Sequence, residues 1–544
     1  MKNKIILGAS IGNCVHVTGL YHFLKLAEVE GYRTIFLGPA VQIARLIKEI
    51  KVNNPDIVAI SYRLTPENAE NLFSDLRKEI INNHLSHIQF ILGGTKPVSD
   101  IAKKFAFFSK VFTGEESLSD INSFLKGNKV GSKHELLPQN LIDRISYKKP
   151  YPLLRHHFGR PNLEETINGI RKISEAEVLD VISLGTDQNA QEHFFHPDEM
   201  INSLNGAGGV PVRKKEDLIQ IYKASRCGNF PLMRCYSGTR ELQKWAEMSV
   251  EAFNNAWAAI PLTWYSVMDG RSKRSLVEAI TENQNVIKWY AQKGFPVEVN
   301  ESHQWSLRDA HDSLAVAMAY LAAYNAKMLG VENYVAQYMF NTPPGTTPKM
   351  DLAKMLAKKE MIHTLHDNNF QSFTEVRAGI AHFSSNLAMA KGQLAASTVL
   401  ALSLKPHIIH VVGFSEGDHA ILPEELIESC QIVNGVLKNC IDGLPDCEND
   451  IDIINRKELL IKEAKYLIKA IKNSAFIRNN DPLTDPETLA NAIKSGLLDT
   501  PHFKGNPNLC GEIVTQLIDG AWYATNWYTG EILFEKQRIN LILK

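Results

Sequence analysis

The 544-residue chain predicts an α/β protein: a doubly wound, Rossmann-like N-terminal domain, then a (β/α)8 TIM barrel with a C-terminal extension. Residues 1–126 alternate short apolar runs with helix-period segments, as a parallel sheet with helices on both faces requires. From Tyr151 to Phe414 the alternation resumes with eight strand segments at longer spacing, which matches the size of one barrel. The stretch between them, 127–150, is polar, with Gly127, Gly131 and several lysines, and reads as a linker.

In the first domain Ile5–Leu7, Thr34–Leu37, Ile57–Ser61, Phe90–Gly93 and Lys110–Phe112 read as strands, and Tyr21–Glu30 as the first helix. The barrel domain, 151–450, has strands at Tyr151–His157, Leu179–Gly185, Leu232–Gly238, Ala258–Trp264, Val297–Ser302, Tyr334–Phe340, Val376–Ala381 and Ile408–Phe414. Between most of them lie segments of helical period: Arg240–Asn254, Ser275–Lys293, Ser306–Leu329 and Met350–His366. Ser306 reads as the N-cap of its helix, with Asp309 and Asp312 in the opening turns, where carboxylates favour the helix dipole. The last part, 451–544, opens with a charged helix, Arg456–Lys472, and continues rich in Pro, Gly and Asn, as a segment that wraps or caps the barrel.

The composition is ordinary for a folded protein, 44 % hydrophobic and 22 % charged. A net charge of -1 gives no reason to expect nucleic acid or an anionic membrane as partner. Seven cysteines without regular spacing suit a reducing compartment. The apolar run after Met1-Lys2-Asn3-Lys4 is too short for a signal peptide or a membrane span, so a cytoplasmic location is expected. The expected partners are a small-molecule substrate and a second copy of the chain in a homodimer.

Chemistry in both folds belongs at the carboxyl ends of the parallel strands. The first such loop, Asn13-Cys14-Val15-His16-Val17-Thr18-Gly19, carries an imidazole three residues before a glycine that can take conformations other residues resist. The third strand ends in Ser61 and the fourth in Gly93-Gly94, which lets a ligand approach the backbone. In the barrel, Arg234 lies toward the carboxyl end of the third strand, and Glu301 and His303 stand at the end of the fifth as candidates for hydrogen bonding to substrate. Trp264 and Tyr265 read as core or as a wall that keeps water from the reacting centre.

The series Cys14-x-His16-x-x-Gly19, Ser61 and Gly93-Gly94 resembles the cobalamin-binding domain of corrinoid enzymes. In that family an Asp-x-His-x-x-Gly loop supplies the lower cobalt ligand. The resemblance implies that His16 is the metal ligand, in a loop with Asn13, Cys14 and Gly19. It also implies that Ser61, Gly93 and Gly94 line a channel for the displaced nucleotide tail. Cys14 stands where the family has the aspartate that fixes the imidazole, a partner whose loss weakens such sites tenfold or more. Asn13 offers an uncharged acceptor in its place, and Cys14 a weaker one.

A cobalamin-binding domain joined to a (β/α)8 barrel resembles the adenosylcobalamin-dependent carbon-skeleton mutases, most closely glutamate (methylaspartate) mutase with its two subunits fused. That resemblance implies an isomerase acting by radical chemistry on a small carboxylic acid, with adenosylcobalamin as the favoured cofactor. It places Arg234 in a substrate-binding segment and Asp418 in a loop that contacts the adenosyl ribose. The departures are Asp187-Gln188-Asn189, which holds no arginine, and Asn254-Asn255-Ala256, which stands where the family has a glutamate. Both disfavour a dianionic substrate. The alternatives are a corrinoid-dependent methyltransferase and a non-catalytic cobalamin-binding protein.

Overall fold

The computed structural model describes residues 4–114, 116, 121, 124–125, 127, 137–236, 238–440, 443–474 and 481–542. It divides into two compact units, Met1–Lys133 and His134–Lys544.

In the first unit β1 (Ile5–Ser10), β2 (Arg33–Phe36), β3 (Ile57–Tyr62), β4 (Gln89–Gly94) and β5 (Phe108–Phe112) form a parallel sheet in the order β2-β1-β3-β4-β5. The strands are apolar almost throughout because both faces are covered. Ile6, Ile57, Ala59 and Ile91 pack against Leu20, Leu24 and Ala27 of the helix Thr18–Val29. The alternate residues Leu7, Val58, Ile60 and Leu92 pack against Leu46, Ile50, Phe73 and Leu76 on the other face. The strand order reverses between β1 and β3, and the crevice beyond their carboxyl ends is the binding position of such sheets. Gly19 lies in the first turn of the helix Thr18–Val29 and has no left-handed backbone, so the conformational freedom expected of it is not used.

The second unit is a closed barrel of eight parallel strands: β6 (Leu153–Phe158), β7 (Val181–Leu184), β8 (Leu232–Cys235), β9 (Ala258–Ile260), β10 (Val297–Val299), β11 (Asn333–Phe340), β12 (Gln371–Ala378) and β13 (Ile408–His410). A parallel bridge between Tyr236 and Ala259 joins β8 to β9 and completes the ring. All eight expected strands are present, with ends shifted by up to five residues, as the pairs Tyr151–His157 against Leu153–Phe158 and Val376–Ala381 against Gln371–Ala378 illustrate. The barrel floor is apolar: Leu153, Val181, Leu232, Trp257, Val335 and Ile408 meet Leu141 and Ile145.

Those last two residues belong to the helix Leu141–Lys148, inside the stretch 127–150 read as a linker. The helix is capped by Asn140, whose side chain accepts from Asp143 N. Arg144, 2 % exposed, donates to the carbonyls of Pro138, Asn229 and Phe230. This part of the stretch therefore closes the barrel, and its segment 128–136 lies outside the described residues.

The helix expected to start at Ser306 starts instead at Asp312 (Asp312–Met328), preceded by a separate short helix, Ser302–Ser306. Asp309 between them has a left-handed backbone, φ 58°, which breaks the helical path. The extension packs Ile451–Asn473 on the helices Asp312–Met328 and Pro348–His363, and adds the hairpin β14 (Val514–Ile518) and β15 (Ala521–Thr525). Arg456 and Lys354 converge on buried Asp312 and tie it to the barrel. No helix among the described residues is long and apolar enough to cross a membrane.

Candidate functional site

The loop after β1 is held from below by two hydroxyls. Ser10 Oγ donates to the Cys14 carbonyl at 2.8 Å, and Ser61 Oγ, from the end of β3, donates to the His16 carbonyl at 2.9 Å. Ala40 N adds a third bond to the Cys14 carbonyl. The loop backbone is thus fixed, while Asn13 and His16 are exposed. Cys14 is fully buried. Its Sγ accepts from Arg63 N at 3.3 Å and lies 3.6 Å from His16 Nδ1. With Nδ1 engaged by sulfur, Nε2 is the ring nitrogen left for a ligand.

The neighbouring strand end is shaped by missing side chains. A Cβ on Gly93 or on Gly19 would meet nothing within 4 Å, whereas one on Gly94 would stand 2.9 Å from the Tyr62 carbonyl. Gly93 therefore borders open space, and Gly94 lets β4 pass close to β3. A projecting imidazole and an open, glycine-lined strand end beside Ser61 fit a corrinoid held through His16. Among the bonds of the described residues Asn13 makes none to the imidazole, and Cys14 Sγ is the group beside its Nδ1.

The interior of the barrel is polar one layer above its floor. Alternate residues of each strand point inward. Arg155 Nε donates to Glu375 Oε1 at 2.7 Å, and Arg234 pairs with Glu298 and donates through Nε to Ser183 Oγ at 2.8 Å. Gln337 Nε2 bridges the two carboxylates, at 2.8 Å to Glu298 and 3.4 Å to Glu375, and Trp257 Nε1 donates to Glu298 at 2.8 Å. Arg155, Arg234, Glu298 and Glu375 are all fully buried.

Two residues further along the strands come His157, Tyr236, Asn300 and Arg377, with His410 beside them. His157 stacks on Tyr236 with ring centroids 4.6 Å apart and meets His410 edge-on at 4.9 Å. Arg155 Nη1 and Tyr236 Oη both lie 2.7 Å from His157 Nε2. An arginine only donates, so Nε2 is the acceptor and the ring proton sits on Nδ1. Among the described residues that Nδ1 has no partner, and neither have Arg234 Nη2, Asn300 Oδ1, Gln337 Oε1 and His410 Nδ1. Each buried polar atom left so costs about 1–3 kcal/mol. Their convergence in one lumen marks it as a place for a polar ligand.

Electrostatics keep the histidines of this lumen neutral. Burial, with Arg155, Arg234 and Arg377 nearby, holds His157 well below the usual imidazole range. Burial and then Arg377 do the same for His303, and burial with Arg155 and Arg377 for His410. Burial pushes the Tyr265 hydroxyl up to about 12. Tyr265 sits at the mouth with Arg271 over its ring, and Trp264 packs as core against Trp305 and under Arg308.

The other residues singled out in the sequence take different places. Arg234 is committed to Glu298, with only Nη2 unbound. Glu301 is saturated: Leu262 N, Thr263 N, Thr263 Oγ1 and Trp305 Nε1 all donate to it, so it holds the loop after β9. His303 is 6 % exposed beside Gln304. Asp418 is exposed and pairs with His419, which also meets Glu425. Asp309 pairs with His502, and Asp312 with Lys354 and Arg456. Sequence reading missed His157, Arg377 and His410, and noted Tyr236 and Asn300 only as polar strand ends. The available signal was polar residues two apart within apolar strands: Arg155 and His157, Glu298 and Asn300, Glu375 and Arg377.

No curated protein matches the sequence. Among solved structures, a novel cobalamin-binding protein from Desulfitobacterium hafniense DCB-2 is similar at 22 % identity, over 23 % of this chain and 57 % of that one, with a TM-score of 0.19. Two structures of OxsB, a cobalamin-dependent S-adenosylmethionine radical enzyme, are similar at lower identity. The apo form has 12 % identity over 89 % of this chain and 70 % of that one, TM-score 0.18. The form with aqua-cobalamin and S-adenosylmethionine bound has 10 % identity over 90 % and 71 %, TM-score 0.18. Likeness at that level carries no functional argument. The match to a family model is local and specific: residues 4–121, which span the His16 loop, Ser61 and Gly93-Gly94, fit the B12 binding domain, and the first unit is therefore a cobalamin-binding domain.

Proposed function

We propose that the chain is a cobalamin-dependent isomerase, a carbon-skeleton mutase that rearranges a small carboxylic acid within the barrel. The observation that carries the reading is the lumen of the second unit, a polar chamber above a layer of balanced ion pairs, on a chain whose first unit is a cobalamin-binding domain. When bound, adenosylcobalamin supplies a carbon radical able to take a hydrogen atom from substrate.

The chain's own groups suit that division of labour. His16 holds the corrinoid, with Cys14 fixing its ring, and Ser61, Gly93 and Gly94 leave room for the tail. In the barrel the carboxylates are already bonded, the histidines are neutral and weakly basic, and the Tyr265 hydroxyl holds its proton. Such a lumen binds, orients and shields a substrate more readily than it moves protons at pH 7.

The test uses the full chain loaded with adenosylcobalamin and a panel of small carboxylic acids deuterated at carbon. Deuterium appearing in the adenosyl 5′ position, together with a rearranged product, is the expected result. Retention of methylcobalamin by the purified protein, with methyl transfer and no deuterium exchange, overturns the isomerase reading in favour of a methyltransferase.

A further inference from the structure

Arg377 differs from the other guanidiniums of the lumen. Arg155 and Arg234 each face a buried glutamate, so the four ions of the layer above the apolar floor cancel. Arg377 lies two residues beyond Glu375 on β12 and so points inward one layer higher. It is partly exposed, and among the described residues its one hydrogen bond runs from Nε to the Ala378 carbonyl at 3.2 Å. No carboxylate of the described residues pairs with it. The other cations near the mouth are taken: Arg271 and Arg308 both face Asp269, and they stack on Tyr265 and Trp264.

Around this guanidinium stand groups without charge. Its strand neighbour in register is His410, and His410 in turn meets His157. Both imidazoles are held neutral, as is His303, by burial and by the surrounding arginines, Arg377 included. Of the arginines Arg155, Arg234, Arg271, Arg308 and Arg377, Arg377 is the one without a carboxylate partner among the described residues, and its two terminal nitrogens can form the fork that matches a carboxylate. The chamber also presents a neutral donor, His157 Nδ1–H, without a partner among the described residues.

We infer that Arg377 anchors the substrate carboxylate and that the chamber takes a monocarboxylate carrying an uncharged polar group, rather than a dicarboxylate. The inference rests on the barrel being the substrate chamber of the proposed isomerase. A second carboxylate would find its cations already paired and would face Glu298 and Glu375, and that mismatch sets the specificity.

The probes are propionate, propionamide and succinate, titrated by calorimetry into the full chain loaded with aquacobalamin, where no turnover occurs. Propionate is expected to bind, with propionamide about ten- to a hundredfold weaker, as loss of a charge-assisted fork implies. Succinate is expected to bind no tighter than propionate. Arg377→Gln should lose propionate to a similar extent. Arg377→Lys, which keeps the charge and loses the fork, should fall between and serves as the decisive variant if the glutamine form does not fold. Equal binding of propionate and propionamide, succinate tighter than propionate, or a folded Arg377 variant that binds propionate like the parent would each overturn the inference. A chain that binds propionate through Arg377 but exchanges no deuterium refutes the isomerase reading and leaves the anchor in place, so the two failures are distinguishable.

Discussion

Cys14 Sγ lies 3.6 Å from His16 Nδ1, and the same sulfur accepts the Arg63 amide at 3.3 Å. A buried thiol so placed limits the orientations open to the imidazole. On the proposed reading, His16 would meet cobalt from a loop held by Ser10, Ser61 and Ala40, with Cys14 beside its Nδ1.

Removal of either member separates their roles. His16→Ala is expected to abolish the nitrogen hyperfine splitting in the electron paramagnetic resonance spectrum of the reduced cobalt form. Cys14→Ala should retain the splitting and weaken cobalamin binding about tenfold or more. Cys14→Asp should bind at least as tightly as the parent. Identical affinities for the alanine and aspartate variants would show that the sulfur does not act on the ring.

Gly93 gives a sharper test of the open strand end. Nothing lies within 4 Å of the position its Cβ would take, and Gly93 sits inside a strand where a β-branched residue is favoured. Gly93→Val should leave the melting temperature unchanged or slightly raised while blocking cobalamin uptake. The neighbouring Gly94→Val should instead destabilise the unit, since a Cβ there stands 2.9 Å from the Tyr62 carbonyl. Full cobalamin binding by Gly93→Val would place the nucleotide tail elsewhere.

The two layers of the protein were legible to different depths. Each strand of both sheets shows in the sequence because it is a short apolar run between helical periods, and parallel strands buried on both faces must be so. Boundaries were less legible where polar residues lie inside elements. β12 begins at Gln371 because Gln371, Ser372 and Thr374 are part of the strand, although their polarity reads as loop. The helix start at Ser306 failed because Trp305 and Ser306 are drawn into a short helix beneath Glu301, a contact set by Thr263 more than thirty residues away. The site was least legible of all. Arg234 with Glu298, and Arg155 with Glu375, are partners brought together by barrel closure, and no local pattern announces which arginine stays unpaired.

The pairing of Arg234 with Glu298 has a consequence for stability. Glu298 is fully buried and receives Arg234, Trp257 Nε1 and Gln337 Nε2. Glu298→Gln removes the counter-charge while keeping the shape, and strands a buried guanidinium. Breaking such a pair costs about 3–5 kcal/mol. Urea unfolding of the full chain should show a loss of that order, and Arg377→Gln, at a partly exposed position without a counter-ion, should show little. Equal losses in the two variants would mean that Arg377 is as structural as Arg234.

The last pair lies between the barrel and its C-terminal extension, where it couples stability to pH. Glu535, 1 % exposed, meets His311 Nε2 at 2.5 Å and Arg538 Nη2 at 2.8 Å. Burial alone pushes its carboxyl up, but Arg538 and His311 outweigh burial and hold it at about 2, against an ordinary 4.5. A carboxyl whose value is depressed in the folded state stabilises above its unfolded value and loses that contribution as pH falls toward the folded one. The window is therefore about pH 4.5 down to 2. Glu535→Gln cannot titrate, so the stability gap between the parent chain and this variant should be constant from pH 7 to 5 and narrow steadily from pH 5 to 3. Denaturant unfolding of both forms at each pH measures the gap. A gap that stays constant to pH 3 would show that Glu535 is protonated in the fold or unpaired, and the contact between His311 and Glu535 would not anchor the extension.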